Sequence, residues 1–589
     1  MTPAAAKPLK PLHRRPAPFL LGLLALLGLP ALAACTLLEE PAPAPPRQMV
    51  TAANPLAAEA GMAMLRQGGS AIDAAIAAEL VLGLVEPQSS GIGGGAFLLH
   101  YDAAARAVSA YDGRETAPSA ADEALFLDAA GEPLAFWDAV VGGRSVGTPG
   151  LLRMLEAAHR DHGKLAWSSL FQPAIRLAEE GFAVSPRLHA LIAADKYLKR
   201  YPATAAYFHD AGGNPLPVGH LLKNQDYADT LRLVAQRGAD AFYKGWVALD
   251  IVNAVRGAAD NPGLLSYPDL RGYHAKRREP LCLPYRRWTV CGMPPPTSGG
   301  VAVLQTLKLL EAFDLAALAP APGESPGAEA IHLVAEASRL AFADRNRFLA
   351  DSDFVEVPVD RLLDPLYLAA RAVLIDPAAS MGQASPGLRT PQAHSPAQLN
   401  PPSTSHLSVV DAEGNAVSMT ASIESAFGAR VMVRGFLLNN ELTDFSFRPS
   451  VDGRPVANRV QPGKRPRSSM SPTLVLDGDG RFVMAIGSPG GSRIIGYTTK
   501  AIIAALDWSL TMQQAVALPN FVNRNGATDL EEGTGIEAAK AELEALGHEV
   551  NIRGMTSGLH GIRRIANGPQ GGGLEGGADP RREGVVLSE

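Results

Sequence analysis

The sequence is poor in cysteine and in clustered positive charge, and both shortages limit what the protein can be. It has 3 cysteines in 589 residues. One of them is Cys35, and the two that remain cannot form a zinc site alone. Acidic residues outnumber lysine and arginine by 59 to 53, with no long basic run beyond the extreme N-terminus, so a nucleic-acid-binding surface is not expected. The 47% hydrophobic and 19% charged residues are typical of a globular chain with a sizeable core.

Three further features are missing from the body of the chain. No His-x₃-His or Cys-x₂-Cys pattern accompanies the two remaining cysteines, so a metal site is not expected. No apolar stretch of about 20 residues follows the N-terminal region, which predicts a soluble body. Glycines at residues 91–95 suggest a dinucleotide-binding loop, but they precede the strand AFLLHY instead of following one, so that interpretation is rejected. No metal or organic cofactor is predicted.

Residues 1–35 have the features of an export signal. Basic residues between positions 7 and 15 precede an apolar segment that is too short and too proline-broken to be a good membrane span. The segment ends in Leu-Ala-Ala before Cys35, which resembles a bacterial lipobox in which the cysteine is lipidated and becomes the mature N-terminus. The alternative is an ordinary signal peptide with an incidental cysteine. Both interpretations predict an exported protein, periplasmic and, with the lipid, membrane-anchored, in which residues 36–48 form a short tether.

The two other cysteines lie in a predicted β-hairpin, PLCLPYRRWTVCGM. If Arg286 and Arg287 are the central turn residues, counting outwards places Cys282 opposite Cys291. Such a cross-strand pair suits a disulfide in an oxidising compartment. Two free buried thiols are the alternative.

The predicted secondary structure changes along the chain. Two helices are predicted on either side of Gly68-Gly69, and helical periodicity dominates residues 145–375. Residues 375–403 are rich in proline and serine and are predicted to be a flexible linker. From residue 404 the pattern is β, with a strand over residues 404–411, a turn, and the return strand AVSMTASI. The fold class is therefore α+β.

A threonine stands where the linker meets the first of these strands. Its hydroxyl is a poor nucleophile unless a base lies beside it. If the peptide bond between Ser403 and Thr404 is cut, Thr404 gains a free α-amine, whose reference pKa is about 8. One residue would then supply both the nucleophile and its general base. The alternative is that Thr404 only begins a β-hairpin after a linker.

Residues 404–428, TSHLSVVDAEGNAVSMTASIESAFG, resemble the signature of the γ-glutamyltransferase family, also called glutathione hydrolases, which are N-terminal-nucleophile hydrolases. Other segments between about residues 49 and 584 resemble family motifs in family order; they include GGSAIDAAIAA, EPQSSGIGGGAF, YDGRETAP, MPPPTSGG, AFADR, LLNNELTDFS, KRPRSSMSP, IGSPGGSR and GADPRR. The resemblance implies a four-layer αββα sandwich and self-cleavage before the nucleophile. It also implies a heterodimer of a large subunit, residues 49–403, and a small catalytic subunit, residues 404–589.

The resemblance also assigns catalytic roles. Thr404 matches the nucleophile, and Ser422 falls where the family commonly has a second threonine that hydrogen-bonds the first. Gly490 and Gly491 match the pair of backbone N–H groups that form the oxyanion hole. His406 lies two residues along the strand from Thr404, but the family does not use it as a base, so a structural role is predicted.

The remaining matches concern the substrate. Arg114, Ser468 and Ser469 match groups that hold the α-carboxylate of the donor, which a guanidinium can bind with two hydrogen bonds. Asp444 matches the acid that pairs with the donor's α-ammonium.

Two positions near Asp444 affect the choice of donor. Glu424 stands where many family members have asparagine, and Glu441 where they have glutamine or glutamate. If all three carboxylates face one ammonium, donors with a free α-amine are selected. If Glu424 points away, acyl groups without an amine become admissible, and the chain would be an amidase similar to cephalosporin and glutaryl acylases.

The resemblance thus predicts a γ-glutamyl hydrolase and transpeptidase that acts on glutathione and similar amides through a γ-glutamyl ester on Thr404. Water or an amino acid or peptide would be the acceptor. The stretch over residues 447–467 looks shorter than the family's lid loop and has no tyrosine, which favours hydrolysis over transfer. A different class of protein, a non-catalytic periplasmic lipoprotein with the same fold, is the other alternative, and it would not cleave itself.

Overall fold

The computed structural model describes residues 46–395, 403–565 and 572–589. The predicted signal segment, its Cys35 and most of the tether lie outside the described residues, as does the end of the linker, residues 396–402. Within the described ranges, no helix is both long enough and apolar enough to cross a membrane.

Two antiparallel sheets form the centre of the fold. The first sheet has seven strands, in the order Val585–Ser588, Met49–Ala52, Ser405–Val410, Ala416–Ser422, Gly95–Asp102, Ala107–Asp112 and Lys276–Arg278. The second has six, in the order Gly573–Ala578, His560–Ile565, Phe482–Gly487, Thr473–Leu476, Trp288–Gly292 and Leu281–Tyr285. A smaller sheet comprises Phe521–Asn523, Thr528–Glu531 and Val550–Arg553.

Helices cover the outer face of each sheet. Those beside the first sheet include Pro55–Arg66, Ala71–Val85, Leu151–His162, Gln172–Glu180, Pro186–Ala194, Gln225–Arg237 and Trp246–Arg256. Those beside the second include Gly299–Leu310, Ala328–Phe348, Pro365–Ala372 and Ile494–Leu506. A third apolar cluster, which includes Phe97, Leu474 and Ile562, fills the space between the two sheets. The fold is therefore the αββα sandwich that the sequence predicted.

Side-chain alternation explains how one strand can be buried on both faces. Leu407 and Val409 pack into the helix-side core of the first sheet. His406 and Ser408 point the other way, towards the second sheet, where the Ser408 hydroxyl donates to the carbonyl of His560. Because successive residues of a strand face opposite sides, a strand in the middle of a sandwich can be buried throughout its length.

The helix pair and the hairpin follow the sequence predictions. Ser70 caps the second helix, and a reciprocal bond from its backbone to the side chain of Asp73 completes a capping box. In the hairpin, Cys282 is paired with Cys291 in register, and the two form a disulfide with Cα atoms 4.1 Å apart. The disulfide prediction is confirmed.

The linker prediction needs a correction. Residues 376–395 contain no helix or strand, as expected, but they are packed against the domain and are not free chain. The amide of Gly387 donates to the Asp344 carboxylate over 2.9 Å, and that of Ala384 to the Asn525 side chain over 2.7 Å. Ala393 is fully buried and bonds to the backbone of Pro455. Composition predicts the lack of regular structure, but it does not predict these hydrogen bonds to residues that are distant in the sequence.

Candidate active site

The predicted nucleophile lies at the start of a central strand, opposite the end of its neighbour. Strand Ser405–Val410 pairs with Ala416–Ser422, and Ser405 stands opposite Ala421. This register brings the Thr404 hydroxyl to 3.0 Å from that of Ser422. The amide of Glu424 donates to the Ser422 oxygen over 2.8 Å, which fixes the orientation of the serine. Ser422 thus makes the hydrogen bond to the nucleophile that the resemblance predicts for the family's second threonine.

The peptide link between Ser403 and Thr404 is held from several sides. The Ser403 carbonyl accepts a hydrogen bond from the amide of Gly490 over 3.1 Å, and the Ser403 hydroxyl donates to the carbonyl of Gln88 over 2.8 Å. The next carbonyl, that of Thr404, accepts a bond from Arg582 over 2.8 Å. The carbonyl that self-cleavage must attack therefore lies against the predicted oxyanion hole.

The backbone at this link is strained. Thr404 has φ of 85°, a left-handed conformation that a β-branched residue rarely adopts. Such a conformation costs roughly 1–3 kcal/mol, and the structure around it must hold it in place. Breaking the bond before Thr404 would release this strain.

The backbone of the glycine pair adopts a conformation that favours glycine. Gly490 and Gly491 have φ of 133° and 60°, and a side chain on Gly490 would collide with the ring of Tyr497. The pair leads directly into helix Ile494–Leu506. Glycine allows the main chain to approach the reacting carbon closely and to aim N–H groups at it.

Most of the predicted site residues line one small cavity. Its wall is formed by Thr404, Ser422, Glu424, Glu441, Asp444, Ser468, Ser469, Met470, Gly491 and Ile494. Its volume of about 20 Å³ is close to the space that a single water needs. The cavity therefore brings the predicted nucleophile, Ser422 and the three acidic residues together in one place.

Arg114 belongs to the site but is not on the cavity wall. Its guanidinium is fully buried and is paired with the carboxylates of Glu441 and Asp444. A third acid, Glu115, lies 3.7 Å away and is also fully buried. In this form Arg114 neutralises acids of the site, and its predicted contact with a donor carboxylate requires a rearrangement.

Glu424 points into the site and not away from it. One of its oxygens accepts hydrogen bonds from the Ser425 hydroxyl and from the Asn440 side chain, the latter over 2.6 Å. Burial, reinforced by the charges of Asp444 and Glu441, raises the pKa of Glu424 to about 8. Burial also raises the pKa of Glu441 to about 7, although Arg114 opposes the shift. Three carboxyl groups that share a buried space favour a cationic ligand.

The two serines and the histidine have clear partners. The Ser469 hydroxyl accepts a bond from Arg345 over 2.7 Å, and the Ser468 hydroxyl accepts one from the amide of Met470 over 3.1 Å. His406 is hydrogen-bonded to the hydroxyls of Thr420 and Ser408, at 2.8 and 3.2 Å. Burial holds the pKa of His406 well below its usual range, so it stays neutral and supports the strands.

Sequence reasoning missed Arg582, Asn440 and Arg345 as site residues. Arg582 holds the Thr404 carbonyl, Asn440 holds Glu424, and Arg345 holds Ser469. All three stand inside segments that resemble family motifs, namely GADPRR, LLNNELTDFS and AFADR. The motifs can be recognised in the sequence, but a motif does not show which of its side chains turns towards the nucleophile.

One group of side chains elsewhere has donor atoms close enough to suggest a metal. Atoms of His332, Glu336 and His548 lie within 4.8 Å of one another. They are already engaged: the two histidines are hydrogen-bonded to each other at 2.7 Å, and Arg339 donates to Glu336 over 2.7 Å. A guanidinium beside the group disfavours a second cation there. These residues form a buried polar network.

The comparison with known proteins agrees with this geometry. The family model described as gamma-glutamyltranspeptidase matches residues 57–588. The chain belongs to this family. Its members are hydrolases and transferases whose nucleophile is an N-terminal threonine, which matches the position of Thr404.

Relatives within the gamma-glutamyltranspeptidase family carry more than one name. The glutathione hydrolase proenzyme of Bacillus subtilis strain 168 is 35% identical over 559 residues, which is 92% of this chain and 91% of the relative. The acylase ACY 1 proenzyme of Pseudomonas sp. strain SE83 is 37% identical and covers 92% and 93% of the two chains. The crystal structure of cephalosporin acylase from Bacillus halodurans has a TM-score of 0.78 and 27% identity and covers 93% and 96%.

Proposed function

We propose that the chain is a self-processing γ-glutamyl hydrolase and transpeptidase that cleaves glutathione and other γ-glutamyl amides. The observation that carries the proposal is the arrangement at one peptide bond. The Ser403 carbonyl is bound to the amide of Gly490, and the Thr404 hydroxyl lies beside Ser422 in a strained backbone. The same donors that support self-cleavage can then support cleavage of a substrate.

Self-cleavage starts with attack of the Thr404 hydroxyl oxygen on the Ser403 carbonyl carbon. The negative charge that develops on the carbonyl oxygen is stabilised by the Gly490 amide. The C–N bond then breaks as the hydroxyl proton passes to the nitrogen, which leaves an ester on the threonine oxygen and a free α-amine on Thr404. Water hydrolyses the ester and gives a carboxylate on Ser403 and a free hydroxyl on Thr404.

The freed α-amine then serves as the general base for the donor. It accepts the hydroxyl proton while the Thr404 oxygen attacks the γ-carbonyl of the donor. The proton passes to the leaving amine as the amide bond breaks, which leaves a γ-glutamyl ester on Thr404. Water or an acceptor amine attacks this ester and restores the hydroxyl.

The test is a comparison of the wild-type chain with Thr404→Ala. The wild type should separate into two fragments and release p-nitroaniline from γ-glutamyl-p-nitroanilide. Thr404→Ala should run as one band near the full-length mass of 61.7 kDa and have no activity. A wild-type chain that neither splits nor cleaves the anilide would instead support a non-catalytic lipoprotein and refute this proposal.

The acylase alternative has support from the relatives but not from the geometry. Glu424, Glu441 and Asp444 all line the cavity, and they suit a donor with an α-ammonium group. We therefore expect γ-glutamyl-p-nitroanilide to be hydrolysed faster than glutaryl-p-nitroanilide, which lacks the amine. A preference for the glutaryl compound would favour an acylase.

We also propose that water is the main acceptor. The segment over residues 447–467 has no tyrosine, and it forms a short hairpin, Ser450–Val451 with Arg454–Pro455, held by ion pairs such as Arg459 with Glu123. A short covering segment leaves the ester open to water. Transfer to glycylglycine that is much faster than hydrolysis at neutral pH would contradict this.

The proposed location is the periplasmic face of a membrane, with Cys35 lipidated. The lipobox-like sequence before Cys35 supports this, and the Cys282–Cys291 disulfide fits an oxidising compartment. In cells that export the chain, Cys35→Ser should move it from the membrane fraction to the soluble fraction. An unchanged membrane fraction would argue against the lipid anchor.

A further inference from the structure

The end of the sandwich that lies away from the nucleophile carries a group of basic side chains. Thr404 stands directly before strand Ser405–Val410, whose six residues place Val410 about 20 Å from Thr404. Val410 lines a surface cavity, and Glu413 is an acidic residue of the same wall. Four arginines also line it, and we refer to them as the arginine face: Arg47, Arg106, Arg481 and Arg564.

The N-terminal strand begins at this same end. Met49 pairs with Val410 in the antiparallel ladder, so the residues before Met49 continue past the end of strand Ser405–Val410. Arg47 is exposed there, and its amide donates to the backbone oxygen of Glu589 over 2.8 Å. A tether that joins the body to a lipidated Cys35 therefore leaves from the arginine face.

The acidic residues near the arginine face already have basic partners. Glu413 pairs with Lys164 at 2.7 Å. The turn between strands Thr473–Leu476 and Phe482–Gly487 supplies two more acids, and their pairs are Asp479 with Arg481 at 2.5 Å and Asp477 with Arg564 at 2.9 Å. These acids are therefore not paired with the two other arginines of the face.

Arg47 and Arg106 are the two arginines of the face whose charge is not paired. Arg106 is exposed and donates to the backbone carbonyl of Asp479 over 3.0 Å. Among the described residues, no side-chain or C-terminal carboxylate lies within 4.0 Å of the guanidinium of either arginine. An apolar side chain, Ile565, is 37% exposed in the same wall. Exposed cations beside an aliphatic group suit a surface of anionic headgroups over an apolar layer.

We propose that the arginine face docks on anionic phospholipid headgroups of the membrane that holds the lipid anchor. The inference rests on the proposed location and is independent of the γ-glutamyl chemistry. Residues 36–45 join Cys35 to Pro46, and a chain of this length spans at most about 40 Å. The anchor therefore keeps the arginine face near the bilayer, where contacts that are individually weak become effective.

Docking at this end determines where the catalytic residues lie. The nucleophile stands at the other end of its strand, about 20 Å along the strand from Val410. A docked enzyme therefore turns its active site towards the aqueous compartment, where water-soluble γ-glutamyl amides diffuse.

The test uses the chain that begins at residue 36, which is the mature protein without its lipid and keeps every residue of the described fold. Such a chain can bind vesicles only through its protein surface. It should co-sediment with vesicles of phosphatidylcholine mixed with phosphatidylglycerol and not with vesicles of phosphatidylcholine alone. Added salt should release it, because salt screens the attraction between exposed charges. Equal binding to both kinds of vesicle, or binding to neither, would overturn the proposal.

The double variant Arg47→Gln, Arg106→Gln identifies the surface that binds. One arginine near an anionic bilayer changes the partition by about fivefold, so the double variant should bind the mixed vesicles about 25-fold more weakly. The matched control is Arg237→Gln, Arg361→Gln, which removes two exposed arginines that do not line the cavity. The control should change vesicle binding less than twofold, and both double variants should hydrolyse γ-glutamyl-p-nitroanilide at the wild-type rate.

The remaining outcomes are also decisive. If both double variants lose vesicle binding equally, net charge and not the arginine face is responsible, and the proposal is refuted. If the chain forms a dimer that Arg47→Gln, Arg106→Gln disrupts, and does not bind vesicles, the face binds a second copy instead. An active enzyme that ignores anionic vesicles refutes only this inference, whereas an inactive chain that binds them refutes only the proposed catalytic function.

Discussion

At the scale of single residues, the site depends on a short hydrogen-bond chain around Thr404. Ser422 lies 3.0 Å from the nucleophilic hydroxyl, and the amide of Glu424 fixes the position of the Ser422 oxygen. A hydroxyl so close to the nucleophile can hydrogen-bond to it and fix its orientation for attack. The residue therefore acts on the reacting atom itself.

We predict that Ser422→Ala lowers kcat for γ-glutamyl-p-nitroanilide by roughly tenfold, because the hydrogen bond that orients the Thr404 hydroxyl is lost. Ser422→Thr should keep near-normal activity, because it retains the hydroxyl. Steady-state kinetics on fully self-cleaved protein measure the effect. Wild-type kcat in Ser422→Ala would show that the contact is not used.

The carboxyl cluster makes donor binding depend on pH. The pKa of Glu424 is raised to about 8, so at pH 7 this group is mostly protonated and the site has less negative charge than its three acids suggest. As pH rises through 8, Glu424 ionises and attracts the α-ammonium of the donor more strongly. We expect KM for γ-glutamyl-p-nitroanilide to fall between pH 6.5 and about 8.5.

Glu424→Gln provides the control for this titration. Its KM should vary much less over the same pH range, because the amide does not ionise. A wild-type KM that rises over this range, or an identical profile in Glu424→Gln, would contradict the assignment. The same raised pKa implies that ionising Glu424 costs folding free energy, so its contribution to stability is present at low pH and is lost as pH rises through about 8.

At the scale of elements, the hairpin Leu281–Tyr285 with Trp288–Gly292 is closed by a disulfide far from the catalytic threonine in sequence. The two cysteines are separated by nine positions, and on the chain-entropy model a loop of this size contributes roughly 2–3 kcal/mol. We predict that the double variant Cys282→Ser, Cys291→Ser loses about this free energy of unfolding and keeps its activity. Denaturant unfolding measures the difference. Equal stability of the oxidised wild type and the variant would contradict the prediction.

The elements also show what the sequence could and could not predict. Counting outwards from Arg286 and Arg287 placed the cysteines correctly, because a two-residue turn fixes the register of both strands. The linker was predicted to be flexible because of its prolines and serines, yet residues 376–395 are bound by Asp344 and Asn525, which lie far away in the sequence. Such long-range contacts leave no local pattern.

The site residues also divide into those that the sequence could predict and those that it could not. Thr404, Ser422 and the glycine pair could be found because they stand in contiguous motifs. The contacts of Arg345 with Ser469 and of Arg582 with the Thr404 carbonyl could not, because these arginines come from separate segments and each alone suggests an ordinary surface or ion-pair residue. The pairing of Arg114 with two acids also depends on folding, which brings positions 114, 441 and 444 together.

At the scale of the whole molecule, the two predicted subunits share both central sheets, and in the second sheet Trp288–Gly292 of the large subunit pairs with Thr473–Leu476 of the small subunit. Strand Met49–Ala52 of the large subunit lies between Ser405–Val410 and Val585–Ser588 of the small subunit and bonds to both. Strand Ala416–Ser422 of the small subunit also pairs with Gly95–Asp102 of the large subunit. Cleavage before Thr404 leaves all of these ladders intact.

We therefore predict that the cleaved fragments elute together in native size-exclusion chromatography and separate only in denaturant. The reason is that separation would break four strand pairings and expose apolar core on both fragments. Uncleaved Thr404→Ala should elute at the same volume and serves as the control. Fragments that separate without denaturant would contradict the shared-sheet arrangement.

The most direct test of the account is to determine the N-terminal residue of the smaller fragment of the purified wild-type enzyme. Edman sequencing or intact mass should give a fragment that begins Thr404-Ser405-His406, with a free α-amine. An active enzyme whose chain remains intact, or whose smaller fragment begins at any other residue, would contradict the claim that Thr404 is both the nucleophile and its own base.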